Sequence, residues 1–138
     1  MSDFQRFLFV KSQDSFGVVD SLPKLPIALS YQDRSVSGVG LLDTGSSVNV
    51  LTYRMGIELG LVWETSTLAV TLGGNLASAE ARGVLVSGIV GEFEPVRLVF
   101  AWCESDEVPL LLGRMNFFSE FNVCFYQSQL TFEIRRKS

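Results

Sequence analysis

The chain contains no histidine in its 138 residues and only two cysteines, Cys103 and Cys124. Without an imidazole, a serine or cysteine nucleophile lacks its usual general base, and a zinc site built on His and Cys is short of ligands. Basic residues are also sparse: 11 Lys and Arg against 15 Asp and Glu leave a net charge of −4. Only Arg135-Arg136-Lys137 cluster, and they read as a solvated tail. With no basic stripe and no interleaved aromatic pattern, nucleic acid is not an expected partner. No apolar run approaches the length that crosses a bilayer. Phe7-Leu8-Phe9-Val10, bounded by Arg6 and Lys11, is too short for the core of a secretory signal. A cytoplasmic protein without a membrane partner is the expectation.

What is present is a large apolar share, 47% with 11 Phe, which suffices for one well-filled domain at this length. Alternation predicts many short strands and few helices. Phe7–Val10 and Phe16–Val19 read as strands around a polar turn at Ser12–Ser15. Pro23 and Pro26 interrupt before Ile27-Ala28-Leu29, and a polar turn at 32–37 leads into Val39–Leu42. Val48–Leu51 is a short strand, and Thr52 has the chemistry of an N-cap for a helix through Leu59, stopped by Gly60. Val96, Leu98, Phe100 and Trp102 fall on one face of a strand and are assigned to the core. The acids of Glu104-Ser105-Asp106-Glu107 read as a solvated loop. Cys103 and Cys124 lie in apolar runs, so buried reduced thiols are expected, although spacing does not decide against a disulfide.

The segment that carries chemistry is Leu41-Leu42-Asp43-Thr44-Gly45-Ser46-Ser47. Two apolar residues run directly into an acid, so a carboxylate is delivered to a tight turn at the end of a buried strand. There it can accept from backbone N–H groups, while Gly45 lets the main chain pack closely. Two such turns face to face would bring two carboxyl groups so near that both cannot ionise. One shared proton then makes one the acid and the other the base, with water held between them. A Ser46 hydroxyl donating toward Asp43 would favour the charged form and move the working range toward acid, and Ser46→Ala would move the upper limb of a bell-shaped rate profile upward. The same residues also suit an ordinary Asx turn, with Ser46 bonded to backbone.

Further along, Val108-Pro109-Leu110-Leu111-Leu112-Gly113-Arg114 repeats the pattern of an apolar strand ending in glycine, and Met115–Phe121 reads as a short helix. With these two segments and the glycine pair of Leu72-Gly73-Gly74-Asn75-Leu76 between them, the chain from about Leu25 to Ile134 resembles the retropepsins, single-domain aspartic proteases of retroviral type. The resemblance implies an all-β, closed-barrel-like acid protease fold with a flap hairpin and one or two short helices. Asp43, Thr44 and Gly45 would be the catalytic motif, Ser46 a supporting residue, and Gly73, Gly74, Asn75 and Leu76 the flap tip over the substrate. One motif per chain implies a symmetric homodimer acting on extended polypeptide, with no metal or organic cofactor. In that family the chain ends interleave into an intersubunit sheet, a role that falls on Leu130–Ile134. Residues 23–138 would form the protease domain and residues 1–22 an N-terminal extension. Some members are cut from membrane-bound or polyprotein chains, which leaves such an origin open here. Ser46, Ser47, Val48 and Asn49 stand where family members carry alanine and then acids, so an ion pair from Arg114 to those acids is not carried over. The alternatives are a protease-like module that dimerises or binds peptide without cutting it, and a precursor activated by loss of the extension.

Overall fold

Alternating apolar residues along Leu25, Ile27 and Leu29 turn one face of β4 (Lys24–Tyr31) inward, and this strand folds back through a tight turn onto β5 (Arg34–Leu42). The computed structural model describes residues 3–73 and 80–137. Before β4 come β1 (Phe4–Leu8) and the hairpin of β2 (Val10–Gln13) with β3 (Val19–Leu22). After β5 follow β6 (Asn49–Leu51), helix α1 (Tyr53–Glu58), β7 (Ala69–Val70), β8 (Ala81–Ile89) and β9 (Val96–Cys103). The chain ends with β10 (Leu111–Leu112), helix α2 (Phe117–Glu120), β11 (Phe121–Tyr126) and β12 (Thr131–Arg136).

Strands β4, β5, β10, β6, β9 and β8 are hydrogen-bonded in that order, and β8 pairs with β4 to close the ring. The fold is therefore mostly β, a closed six-strand barrel with two short helices. The expected face of β9 fills its interior: Leu98, Phe100 and Trp102 are fully buried and Val96 nearly so, against Leu25, Leu29, Leu51 and Leu112. Closure removes the open sheet edges that would otherwise template association.

Local chemistry sets the element ends. Thr52 Oγ1 accepts from Met55 N–H at 3.2 Å, and Gly60, at φ +82°, ends the turn that follows α1. Asp106, in the acidic loop, accepts from Arg54 N–H at 2.7 Å and so adds a second cap. β4 begins earlier than its prolines suggest. β8 pairs only with Ala28–Ser30 of β4, so Pro26 lies on a stretch whose second edge is unpaired. The expected strand at Phe16–Val19 is mostly turn, because Asp14 Oδ1 accepts from both Phe16 and Val18 N–H at 2.9 Å and leaves Phe16 exposed. Likewise α2 starts after Met115, whose backbone is already bonded to Ser47 O and Asn49 N–H. Cys103 is buried, but Cys124 is an exposed thiol, and neither is in a disulfide.

A second, three-stranded sheet runs β1-β12-β11. Phe4–Leu8 pairs with Arg135–Thr131, and Phe7 stacks on Phe132 at 5.4 Å. Glu133, buried on the other face, accepts from Arg6 at 2.5 and 3.1 Å. This corrects the intersubunit role expected for Leu130–Ile134: β12 is the middle strand of its own chain's sheet, with both edges filled by β1 and β11. Among the described residues no helix is long and apolar enough to cross a membrane.

Candidate active site

β10 is only two residues long, yet it holds the candidate acid. It lies parallel to β5, pairing Leu111 with Leu41 and Leu112 with Leu42, and antiparallel to β6 through Val50. Leu41 N–H donates to Leu110 O at 2.9 Å and Asp43 N–H to Leu112 O at 3.0 Å, so the strand pair delivers Asp43 at its end. The chain then turns at once, with Ser46 N–H donating to Asp43 O at 3.1 Å and Gly45 N–H to Asp43 Oδ1 at 2.9 Å. A Cβ on Gly45 would stand 3.1 Å from that oxygen, so a side chain here would press on the carboxylate.

The outer side of the turn is clamped by the segment after β10. Arg114 N–H donates to Ser46 O at 2.9 Å and Met115 N–H to Ser47 O at 3.0 Å. The Arg114 guanidinium donates to Thr44 O at 2.6 Å, so its partner is a main-chain carbonyl in place of an acid. Gly113 approaches so closely that a Cβ would overlap Val48 O and lie 2.8 Å from Ser46 O, both backbone atoms that cannot move aside cheaply.

Beneath this crossing lies a polar pair that sequence reasoning missed. Asn49 is fully buried; its Oδ1 accepts from Gly113 N–H at 2.8 Å and its Nδ2 donates to Val99 O at 2.9 Å. Asn116 continues the network, accepting from Val99 N–H and donating to Arg97 O, each at 2.9 Å. A lone asparagine inside the apolar run Val48–Leu51 was the available signal, since a buried amide must find partners.

Asp43, Gly45 and Ser46 open onto a cleft of about 510 Å³, walled by Leu41, Val50 and Leu111 below and by Leu72 and Gly73 from the segment after β7. Val50, Leu72 and Leu111 belong to the second apolar cluster, which also contains the buried Ala101 and Cys103. Burial there pushes the Cys103 thiol above its ordinary pKa. Asp43 itself is half-buried while Thr44 and Gly45 are exposed at the rim.

Of the two partners open to Ser46, the structure shows the backbone one. The hydroxyl donates to Val48 O at 2.6 Å, within its own turn, and not to the Asp43 carboxylate. Of the proposed flap, Gly73 borders the cleft, whereas Gly74, Asn75 and Leu76 lie outside the described residues. β7 pairs antiparallel with β8, Ala69 with Arg82 and Val70 with Ala81.

Compared with solved structures, the chain is similar to a retropepsin-like aspartic protease from Rickettsia conorii, with a TM-score of 0.64 over 96% of this chain and 92% of that one. It has the retropepsin-like fold. Identity between the two is 15%, and no protein-family model and no curated protein matches the sequence. The retropepsin-like fold thus rests on shape, and the assignment of chemistry rests on the residues at the cleft. Among the described residues no three His, Cys, Asp or Glu side chains are grouped to hold a metal ion.

Proposed function

We propose that this chain is an aspartic endopeptidase that works as a homodimer, each subunit contributing Asp43. The observation that carries the reading is the position of Asp43: at the end of a buried strand, bonded by Gly45 N–H, and open to an apolar cleft sized for side chains of an extended peptide. A retropepsin-like fold supports the same assignment.

Two Asp43 carboxyls, one ionised and one protonated, bind a water between them. The carboxylate takes a proton from the water as it attacks the peptide carbonyl, and the acid donates to the carbonyl oxygen to give a neutral tetrahedral diol. The dyad then gives its proton to the amide nitrogen, the C–N bond breaks to release the amine, and a hydroxyl of the collapsing diol returns its proton to the carboxylates, leaving the acid product and the shared proton restored. Thr44 and Gly45 hold the acid in place, and Gly73 borders the cleft that takes the peptide. Residues 23–138 carry this machinery and residues 1–22 add β1 and the β2–β3 hairpin to it. Two free thiols suit a reducing, cytoplasmic setting.

Digestion of a peptide library from acid to neutral pH tests the reading, with Asp43→Asn as control. Cleavage abolished by the substitution supports it. A confirmed dimer that cuts nothing favours a peptide-binding module.

A further inference from the structure

Leu41 and Pro109 wall the cleft, and each also begins a run of uncharged residues on the outside of the barrel. Side chains alternate across a strand, so Leu41 and Val39 share the outer face of β5 while Leu42 and Gly40 are buried within. The ladder with β4 sets Pro26 opposite Val39, and β8 carries the same face one strand further by setting Ile89 opposite Ala28. Leu111 is level with Leu41 in the parallel pair of β10 and β5, which brings Pro109, two residues earlier, alongside Val39. On the inner face Leu110 obeys the same register, since a Cβ on Gly38 would stand 3.2 Å from its side chain.

These residues are left open. Val39 is 50% exposed and Ile89 40%, and Pro26 and Pro109 are exposed beside them. We infer that this strip, from the cleft rim over Val39 and Pro26 to Ile89, is a second contact for the polypeptide being cut, taking apolar side chains a few residues away from the scissile bond. The inference rests on the protease reading and names a further part of its substrate.

Continuity with the cleft selects that occupant. A chain leaving over the rim at Leu41 meets Val39 next, about 7 Å along the strand, a distance that an extended peptide covers in about two residues. Charge points the same way. Among the outward positions of β4 and β5 only Lys24 is ionic, and its Nζ donates to Ser12 Oγ at 3.0 Å. On a chain of net charge −4, this face offers an ionic partner almost nothing. Nor does it suit a strand added from another sheet, because Pro26 has no N–H to give along the stretch of β4 that β8 leaves unpaired. Contact is through side chains on the face.

Binding to full-length Asp43→Asn chains, followed by fluorescence anisotropy, tests the strip apart from cutting. One set of labelled peptides shares an apolar core and is lengthened at both ends with two leucines, and a second set carries serines at the same places. The leucine peptides are expected to bind about fivefold or more tightly than the serine peptides. Adding Val39→Glu is expected to bring the two sets to equal affinity, and Val39→Ser to narrow the gap between them. Ser35→Glu, outward on the same strand but four residues from Val39, is expected to keep the gain from leucine. No gain from leucine, or a gain that survives Val39→Glu, overturns the inference even where cleavage by the parent chain depends on Asp43. Binding that follows this pattern while the parent chain cuts nothing supports the strip and overturns the protease reading.

Discussion

Asn49 and Gly113 are joined by a 2.8 Å hydrogen bond from the glycine N–H to the wholly buried asparagine Oδ1, which locks the strand after the acid to the strand that crosses beneath it. Removing the amide leaves the buried Gly113 N–H without its acceptor and Val99 O without its Asn49 donor. Asn49→Ala is expected to lower stability in denaturant titrations by about 1–3 kcal/mol for each group left unsatisfied. Asn49→Asp keeps the acceptor and loses the donor, so it is expected to fall between the alanine variant and the parent.

At Gly113 a methyl group meets two backbone oxygens, Val48 O and Ser46 O. Neither can rotate away, so Gly113→Ala must push the Asp43 turn off β10. A loss of about 3 kcal/mol or more, at the upper end of overpacking costs, is expected in thermal or denaturant unfolding. A variant as stable as the parent would show that the close approach is not required.

Arg114 acts at the rim, where its guanidinium fixes Thr44 O at 2.6 Å. Arg114→Met removes that bond without opening the core. Stability is expected to change by less than about 1 kcal/mol, while kcat falls roughly tenfold because the turn carrying the acid loses its outer restraint. Kinetics beside a melting curve separate the two.

Ser46→Ala deletes the hydroxyl that donates to Val48 O. Since that bond is internal to the turn, the expected cost is about 1 kcal/mol of stability, and the pH profile of cleavage is expected to superimpose on that of the parent. A displaced upper limb would show that the hydroxyl reaches the carboxylate during the reaction.

The sequence made the acid turn, the capped helix after Thr52 and the buried face of β9 legible because each is a local pattern, set by neighbours within a few residues. Chain order left two partners open for the Ser46 hydroxyl, the Asp43 carboxylate and a backbone carbonyl, and the fold selects Val48 O. The pairing of β1 with β12 joins the two ends of the chain, so no local pattern marks it. Asn49 stood out only as a polar residue in an apolar run; its partners at Gly113 and Val99 are distant in sequence.

The two thiols should behave differently. Cys124 is exposed and is expected to react with a thiol reagent in the native state, whereas Cys103 reacts only on unfolding. Burial raises the Cys103 pKa, so the folded chain keeps that proton to higher pH than the unfolded chain. The unfolded state then binds fewer protons, and stability declines as pH climbs through and beyond the ordinary thiol range. Cys103→Ala is expected to flatten that decline in unfolding free energies measured across alkaline pH.

The central claim is that one Asp43 from each of two chains makes a single catalytic unit. Its most direct test is cleavage rate measured while Asp43→Asn chains replace parent chains at constant total protein, after subunit exchange. The account predicts a rate that falls as the square of the parent fraction, because every mixed dimer is inactive. A rate that falls in direct proportion to that fraction would contradict it, since each parent chain would then be cutting alone.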